Sequence, residues 1–274
     1  TKADRALLSN AGVEMRWYNP IRWRRGIRNF YRDHRKLLLT DGRLAFVGGA
    51  GVTDDFWCTD NPESAWHETM VEIDGPLVED WQQLFERQWQ ACNTRLSWRP
   101  SATAGLNRLP VSPPVGVGLG RVAYADAKQH RDILQSMVRA LQSAEGRIWF
   151  ATPYFLPTWK VRRALRKAAA RGVDVRLLLS GRRTDHQPVR LAGHRYYPRL
   201  LRAGVQIFEY QPRFSHQKIV LVDQWVSIGS CNFDHWNLRF NLDANLEALG
   251  KPFTQAIIYR RTADVADSRQ VSLA

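Results

Sequence analysis

His-x-Lys-x4-Asp occurs twice in this chain, as HRKLLLTD at 34–41 and HQKIVLVD at 216–223. Each copy runs on through an apolar stretch into a pair of small residues, Gly48-Gly49 and Gly229-Ser230. The likeness also reaches upstream, where LLSNAGVEMRWYNP at 7–20 resembles LLRAGVQIFEYQP at 200–212. Each of these reads as a helix end, a glycine C-cap (Gly12 or Gly204) and a short strand ending in Tyr-x-Pro. A motif repeated together with both flanks is an internal duplication, and it restricts the chain to a fold of two related halves.

The second half is the fuller one. Residues 146–157 predict an apolar strand and a turn. Residues 158–171 predict a helix with Val161, Leu165 and Ala168 on one face and Gly172 as its stop, and 173–180 a second strand. This β-α-β order implies parallel strands covered by helices. The expected fold class is therefore α/β: two pseudo-twofold-related α/β halves, each a mostly parallel mixed sheet flanked by helices. The first half lacks a counterpart of this segment and is short by roughly 70 residues on the repeat alignment. That shortfall predicts a parent protein starting well before Thr1. The expected organisation is an N-terminally incomplete first half at 1–98, a Pro- and Gly-rich linker at 99–121 and a second half at 122–274. Apolar residues at 77, 78, 81, 84, 85, 89 and 92 form one helical face, so Trp81 and Trp89 read as core.

Alternate residues of a strand share a face, so His34 projects with Lys36, and His216 with Lys218. An imidazole beside an ammonium suits an anionic centre attacked by nitrogen, with lysine holding phosphate oxygens. Two copies about a pseudo-twofold axis set the histidines on opposite sides of one phosphorus. One attacks and the other protonates the departing oxygen.

These paired motifs with their Gly-Gly and Gly-Ser followers resemble the phospholipase D superfamily. Within it, TPYFLP at 152–157, TDHQPVRLAGHRYYPRLLRAGVQIFEY at 184–210 and WHETMVEIDGPLVEDW at 66–81 are similar to bacterial cardiolipin synthases. The linker and the tail after Pro252 are unlike them. The resemblance implies His34 as nucleophile and His216 as general acid, with Lys36, Lys218, Ser230 and Asn232 at the phosphoryl oxygens. Gly51 stands where the first half would match Asn232. The resemblance also implies a downstream carboxylate behind each histidine, for which Glu68 and Glu247 are the candidates. Asp41 and Asp223 complete the candidate catalytic set and read as mainly structural. His186 and His194 are substrate-side candidates on resemblance alone, while His67 and His130 read as structural.

The implied reaction is phosphatidyl transfer of the cardiolipin synthase type through a phosphohistidine. Its donor would be an anionic phospholipid such as phosphatidylglycerol and its acceptor a lipid hydroxyl, with no metal and no cofactor. The alternative is a phospholipase D or nuclease-type phosphodiesterase with water as acceptor.

Charge fits either substrate. The formal net charge is +14, which attracts anionic lipid or nucleic acid. Three cysteines without metal-like spacing argue against a zinc site or a disulfide framework. No apolar run reaches the roughly 18 residues of a spanning helix, and TKADRALLSN is not a signal peptide. Residues 21–33, IRWRRGIRNFYRD, are an insertion about ten residues longer than the second half's counterpart. Five arginines there interleave with Ile21, Trp23, Ile27, Phe30 and Tyr31. This mixture suits an anionic membrane surface beside the motif; it also suits a nucleic-acid backbone, the less favoured partner. The implied location is peripheral, on the bacterial cytoplasmic membrane.

Overall fold

A computed structural model describes residues 2–92, 118–126, 131–234 and 240–273. Nine strands form one mixed sheet and three form a smaller antiparallel one. The second half supplies β5 (Leu119–Asp126), β6 (Arg147–Thr152), β7 (Asp174–Ser180), β8 (Gln206–Tyr210), β9 (Ile219–Val222), β10 (Trp225–Gly229), β11 (Asn241–Leu249) and β12 (Ser268–Val271). Its helices are α3 (Asp132–Ser143), α4 (Trp159–Ala170), α5 (Gln187–His194), α6 (Tyr197–Leu201) and α7 (Lys251–Ala266). The first half contributes α1 (Lys2–Asn10), β1 (Arg32–Asp33), β2 (Leu37–Thr40), β3 (Leu44–Gly48), β4 (Met70–Asp74) and α2 (Leu77–Ala91).

The large sheet runs β1-β11-β10-β9-β6-β7-β8-β12, with β5 also on β11. Strands β6, β7 and β8 are parallel, as the β-α-β pattern requires. Helix α4 matches its expected span, with Thr158 accepting from the Val161 N–H at its N-cap and Gly172 at φ +90° behind it.

The two motif hairpins are repeats in three dimensions, β2-β3-β4 against β9-β10-β11. Their settings differ. Ile219, Val220, Leu221 and Val222 are all buried, because β9 is a central strand covered on both faces. Strand β2 alternates instead: Leu37 and Leu39 pack inward while Leu38 is 59% exposed.

Ala45, Val47, Ile73, Val78 and Trp81 of the first half pack in one cluster with Tyr124, Leu221, Val226, Ile228 and Leu246 of the second. One core therefore spans both halves. Trp81 is a buried member of it, and Trp89 stacks on Phe85 nearer the surface. The other cluster lies between the sheet and α3, α4 and α6.

Three expectations change. Residues 13–18 form no strand, although their copy is β8. Strand β8 is held by β7, through pairs such as Arg176↔Gln206, and the first half has no counterpart of β7. Strand β5 begins at Leu119, inside the segment expected as linker; residues 99–117 and His130 lie outside the described residues. The tail that looked unlike the family is α7 and β12, which pack on the sheet beside β8.

Candidate active site

Both motif histidines hydrogen-bond to the backbone of the opposite half. The His216 N–H donates to the His67 carbonyl at 2.9 Å, where His67 and Ser215 form a parallel bridge. The His34 N–H donates to the Leu242 carbonyl, also at 2.9 Å, at the end of the parallel β1–β11 pairing. In each case the next residue is acidic: Glu68 follows His67 and Asp243 follows Leu242. Glu68 Oε2 is 2.8 Å from His216 Nδ1, and Asp243 Oδ1 is 3.0 Å from His34 Nδ1. The carboxylates are exchanged between halves. A carboxylate on Nδ1–H fixes the ring, leaves Nε2 for chemistry and stabilises the imidazolium.

This corrects the assignment of Glu247. It lies four residues beyond Asp243, roughly 13 Å along an extended strand. There it accepts from Arg121 Nε and Nη2 at 2.9 and 2.6 Å and from Ser136 Oγ, with Asp132 on the same guanidinium. Strand register gives the reason. Gly48 pairs with Met70, and Gly229 with Asn245, so Glu68 matches Asp243 and Glu72 matches Glu247. The signal was present in sequence as Glu68-x-x-Val71-Glu72 against Asp243-x-x-Leu246-Glu247.

Ser230 changes role as well. Its buried hydroxyl donates to Asp243 Oδ1 at 2.8 Å and accepts from the Ala244 N–H at 3.1 Å. Its hydroxyl proton is thus directed at the carboxylate. Gly49 occupies the matching place in the first half, where a Cβ would stand 2.0 Å from Glu68 Oε2. Lysine replaces serine as the carboxylate's donor there, with Lys218 Nζ 3.2 Å from Glu68 Oε2.

Asp41 and Asp223 turn away from the histidines. Both have left-handed backbone, φ 53° and 51°, in the turns that close the motif hairpins. The Asp223 carboxylate accepts the N–H groups of Glu145, Gly146 and Arg147 at 3.0, 2.8 and 2.8 Å. The repeated spacing of the motif thus ends in a turn.

Lys218 is fully buried, with Nζ 2.5 Å from the His216 carbonyl and 2.9 and 3.2 Å from the two ring nitrogens. Lys36 Nζ donates to the His34 carbonyl at 2.7 Å, repeating that geometry in the other half. Burial and the neighbouring Lys218 charge lower the Lys36 pKa to about 8. Burial likewise pushes Lys218 down, partly offset by Glu68. Burial alone would raise Glu68, but Lys218 and His216 outweigh it and hold the carboxyl below its ordinary value. The two ammonium groups are close enough to repel each other.

His216 lies in an aromatic box, with ring centroids of Phe56, Trp66 and Phe214 at 5.5, 5.1 and 5.7 Å. That burial lowers its pKa, against the pull of Glu68. Its side chain is 8% exposed and that of His34 25%. Asn232 is buried, and its Oδ1 has no hydrogen-bond partner among the described residues.

Behind the box, α7 grips the residues around the pair. Asp264 Oδ1 meets His67 Nε2 at 2.8 Å, and Arg261 bonds both Asp264 and Gln217. Gln217 donates to Thr69 Oγ1 at 2.9 Å. The helix therefore fixes His67 and Thr69 on either side of Glu68, and Gln217 between His216 and Lys218. No motif in the tail pointed to this. Of the other histidines, His186 lies 5.8 Å from Tyr154, whose hydroxyl donates to Asp185 and whose ring neighbours Phe214. His194 is held by Glu209 in a separate network with Arg190 and Arg269.

Residues 21–33 lead directly into His34. Asn19 Nδ2 closes the loop by donating to the Arg28 and Tyr31 carbonyls at 2.7 and 2.9 Å. Ile21, Trp23 and Ile27 are left exposed at 78%, 99% and 59%. Among the described residues, no group of three or more His, Cys, Asp or Glu is arranged to hold a metal ion.

Residues 137–260 match the family model described as "Cardiolipin synthase, PLD-like domain". The chain is 34% identical over 267 residues to cardiolipin synthase A of Pseudomonas fluorescens strain Pf-5, covering 97% of this chain and 54% of that protein. The same figures hold for cardiolipin synthase A of Pseudomonas putida strain W619. The chain thus spans about half the length of the relatives it matches. Among solved structures, phosphatidylserine synthase of Haemophilus influenzae superposes with a TM-score of 0.67 at 11% identity, over 88% of this chain and 64% of that one. With two motif hairpins packed on a shared core, the chain has a fold like that of the Haemophilus influenzae phosphatidylserine synthase, its residues 137–260 resemble a PLD-like domain, and over nearly its whole length it resembles about half of the Pseudomonas cardiolipin synthases A.

Proposed function

We propose that this chain carries a phosphatidyl-transfer site of the cardiolipin synthase type. The observation that carries the reading is the crossed pair, His34 with Asp243 and His216 with Glu68, between two lysines. Two lysines and two carboxylates cancel in charge, so one imidazolium balances the single charge of a phosphodiester.

His34 Nε2 attacks the phosphorus of an anionic phospholipid, phosphatidylglycerol being the simplest donor. The P–N bond forms as the P–O bond to the headgroup breaks, and the leaving oxygen takes the proton from His216 Nε2. Lys36, Lys218 and Asn232 hold the non-bridging oxygens. In the second step an acceptor hydroxyl gives its proton to His216 and its oxygen attacks phosphorus. The P–N bond breaks and His34 is restored. The greater exposure of His34 supports its part as nucleophile.

A lipid hydroxyl is favoured over water by the aromatic box around His216 and by Ile21, Trp23 and Ile27 at the other histidine. Among the described residues no helix is long and apolar enough to cross a membrane; the exposed Ile21, Trp23 and Ile27 among arginines support contact with the surface of the bacterial cytoplasmic membrane. Lipid mass spectrometry after incubation with phosphatidylglycerol vesicles tests the reading, with a His216→Ala variant in parallel. Cardiolipin from the wild type alone supports transfer. Phosphatidic acid alone makes water the acceptor. Unchanged lipid from folded protein, with cleavage of DNA, replaces this reading with the phosphodiesterase.

A further inference from the structure

Helix α4 carries a concentration of charge that the site does not use. Residues 158–172 include Lys160, Arg162, Arg163, Arg166, Lys167 and Arg171 and no acidic residue. Val161, Ala164, Leu165 and Ala168 face the core, which turns Lys160, Arg163 and Lys167 outward as one exposed stripe. Beside them stand the exposed Arg199 and Arg202 of the α6 turn. Among the described residues, none of Lys160, Arg163, Arg166, Lys167, Arg199 and Arg202 forms an ion pair.

A basic helix is most often a solvated face, but two features separate this one from that reading. Its cations stand three or four residues apart, Lys160 by Arg163 and Arg163 by Lys167, the spacing at which like charges repel. A surface anion would relieve that repulsion. The stripe also borders two open grooves of about 540 and 520 Å³. Arg163, Lys167 and the 55% exposed Trp159 line both, and Arg163 lies 5.0 Å over the Trp159 ring. An exposed indole at the end of a cationic stripe is the composition of a membrane-interface contact.

Position completes the argument. The Ala151↔Ile219 pairing puts the end of β6 level with the start of β9, which His216 precedes. The chain leaving β6 passes Tyr154, which neighbours Phe214 of the aromatic box, and reaches Trp159 a few residues on. The α4 entrance therefore lies on the His216 side of the site, as residues 21–33 lie on the His34 side.

We infer that the stripe of Lys160, Arg163 and Lys167, with Trp159, Arg199 and Arg202, is a second docking surface for an anionic phospholipid bilayer. The inference rests on the phospholipid reading of the site and adds a contact on the opposite flank. The stripe starts at the site end of α4 and runs back along the helix toward the start of β6, so the contact would lay this flank of the chain against the bilayer.

The test uses cosedimentation with vesicles of phosphatidylcholine alone or mixed equally with phosphatidylglycerol, and turnover of a short-chain phosphatidylglycerol below its micellar concentration. Wild type is compared with K160Q/R163Q/K167Q and, independently, R199Q/R202Q. The triple variant is expected to bind mixed vesicles roughly 100-fold more weakly. The R199Q/R202Q variant should lose roughly 10-fold or more, and both should turn over the monomeric lipid at the wild-type rate.

Unchanged vesicle binding in both variants overturns the inference, as does equal wild-type binding to phosphatidylcholine vesicles. Loss of monomeric turnover in both variants overturns it too, by placing the stripe in the site or the fold. Displacement from mixed vesicles by duplex DNA, in wild type but in neither variant, reassigns the surface to nucleic acid. If wild type binds the vesicles through these residues but leaves monomeric lipid unchanged, the docking surface stands and the lipid-transfer reading falls.

Discussion

His34 and His216 carry the same motif, the same backbone hydrogen bond to the opposite half and the same kind of carboxylate, yet they sit in different media. His216 leads into a central strand of a nine-stranded sheet and is walled by Phe56, Trp66 and Phe214. His34 leads into an edge strand and is three times as exposed. Glu68 is held by a fully buried ammonium, whereas Asp243 is held by a neutral hydroxyl. Motif and register set what the groups can do. The number of strands around each copy sets how dry it is.

The largest effect should break this comparison at the chemistry. His34→Ala and His216→Ala are each expected to lower phosphatidylglycerol turnover by roughly four orders of magnitude. A nitrophenyl phosphodiester separates them, because nitrophenolate leaves without a proton. His216→Ala should form a covalent phosphoenzyme from it and His34→Ala should not; the reverse pattern, read by intact-protein mass spectrometry, exchanges the two roles.

The carboxylates come next. Asp243→Asn is expected to reduce kcat by roughly 10³-fold. Glu247→Gln should keep kcat near wild type while losing about 1–3 kcal/mol of stability through Arg121. Steady-state kinetics showing the opposite ranking would restore Glu247 to the site.

Lys218 and Lys36 differ in the fold more than in the reaction. Lys218→Met leaves Glu68 buried without its cation and should cost about 3–5 kcal/mol, whereas Lys36→Met should shift the urea midpoint little. Coincident midpoints would show that burial of the two lysines is equivalent.

The smallest effect is in pH. Lys36 has a lowered pKa, about 8, so it is charged below that pH and neutral above it. Phosphate binding needs the charged form, so kcat/KM should fall as pH rises through about 8. Lys36→Arg should move that fall to higher pH; a profile unmoved by the substitution assigns the limb to another group.

Much of this was readable in the sequence because duplication supplies its own alignment. The paired motifs, α2, α4 and the parallel β6-β7-β8 core were legible from period and repeat; Glu68 came from the resemblance, which set it behind His34 of its own half, whereas it meets His216 of the other. Asp243 was missed because matching by residue type chose the wrong glutamate, when strand register counted from Gly48 and Gly229 would have chosen the aspartate. Ser230 was misread because a hydroxyl after a glycine serves an anion or a carboxylate equally well until its neighbours are known. The α7 network was invisible, since Arg261, Asp264, Gln217 and His67 are separated by up to 197 residues and meet only in three dimensions. The strand expected at 13–18 failed for a related reason: a strand is a pairing, and among the described residues nothing pairs with 13–18 as β7 pairs with β8.

The exchange of carboxylates bears on how such a molecule can be assembled. Each hairpin provides a histidine and an acid that do not meet each other, so on the proposed mechanism a fragment bearing one motif would lack the carboxylate behind its histidine. Two complementary fragments, or two copies of an ancestral single-motif chain, would have to dock before any bond could be made or broken. In such an arrangement association itself is the switch for activity, and fusing the copies into one polypeptide makes that switch permanent.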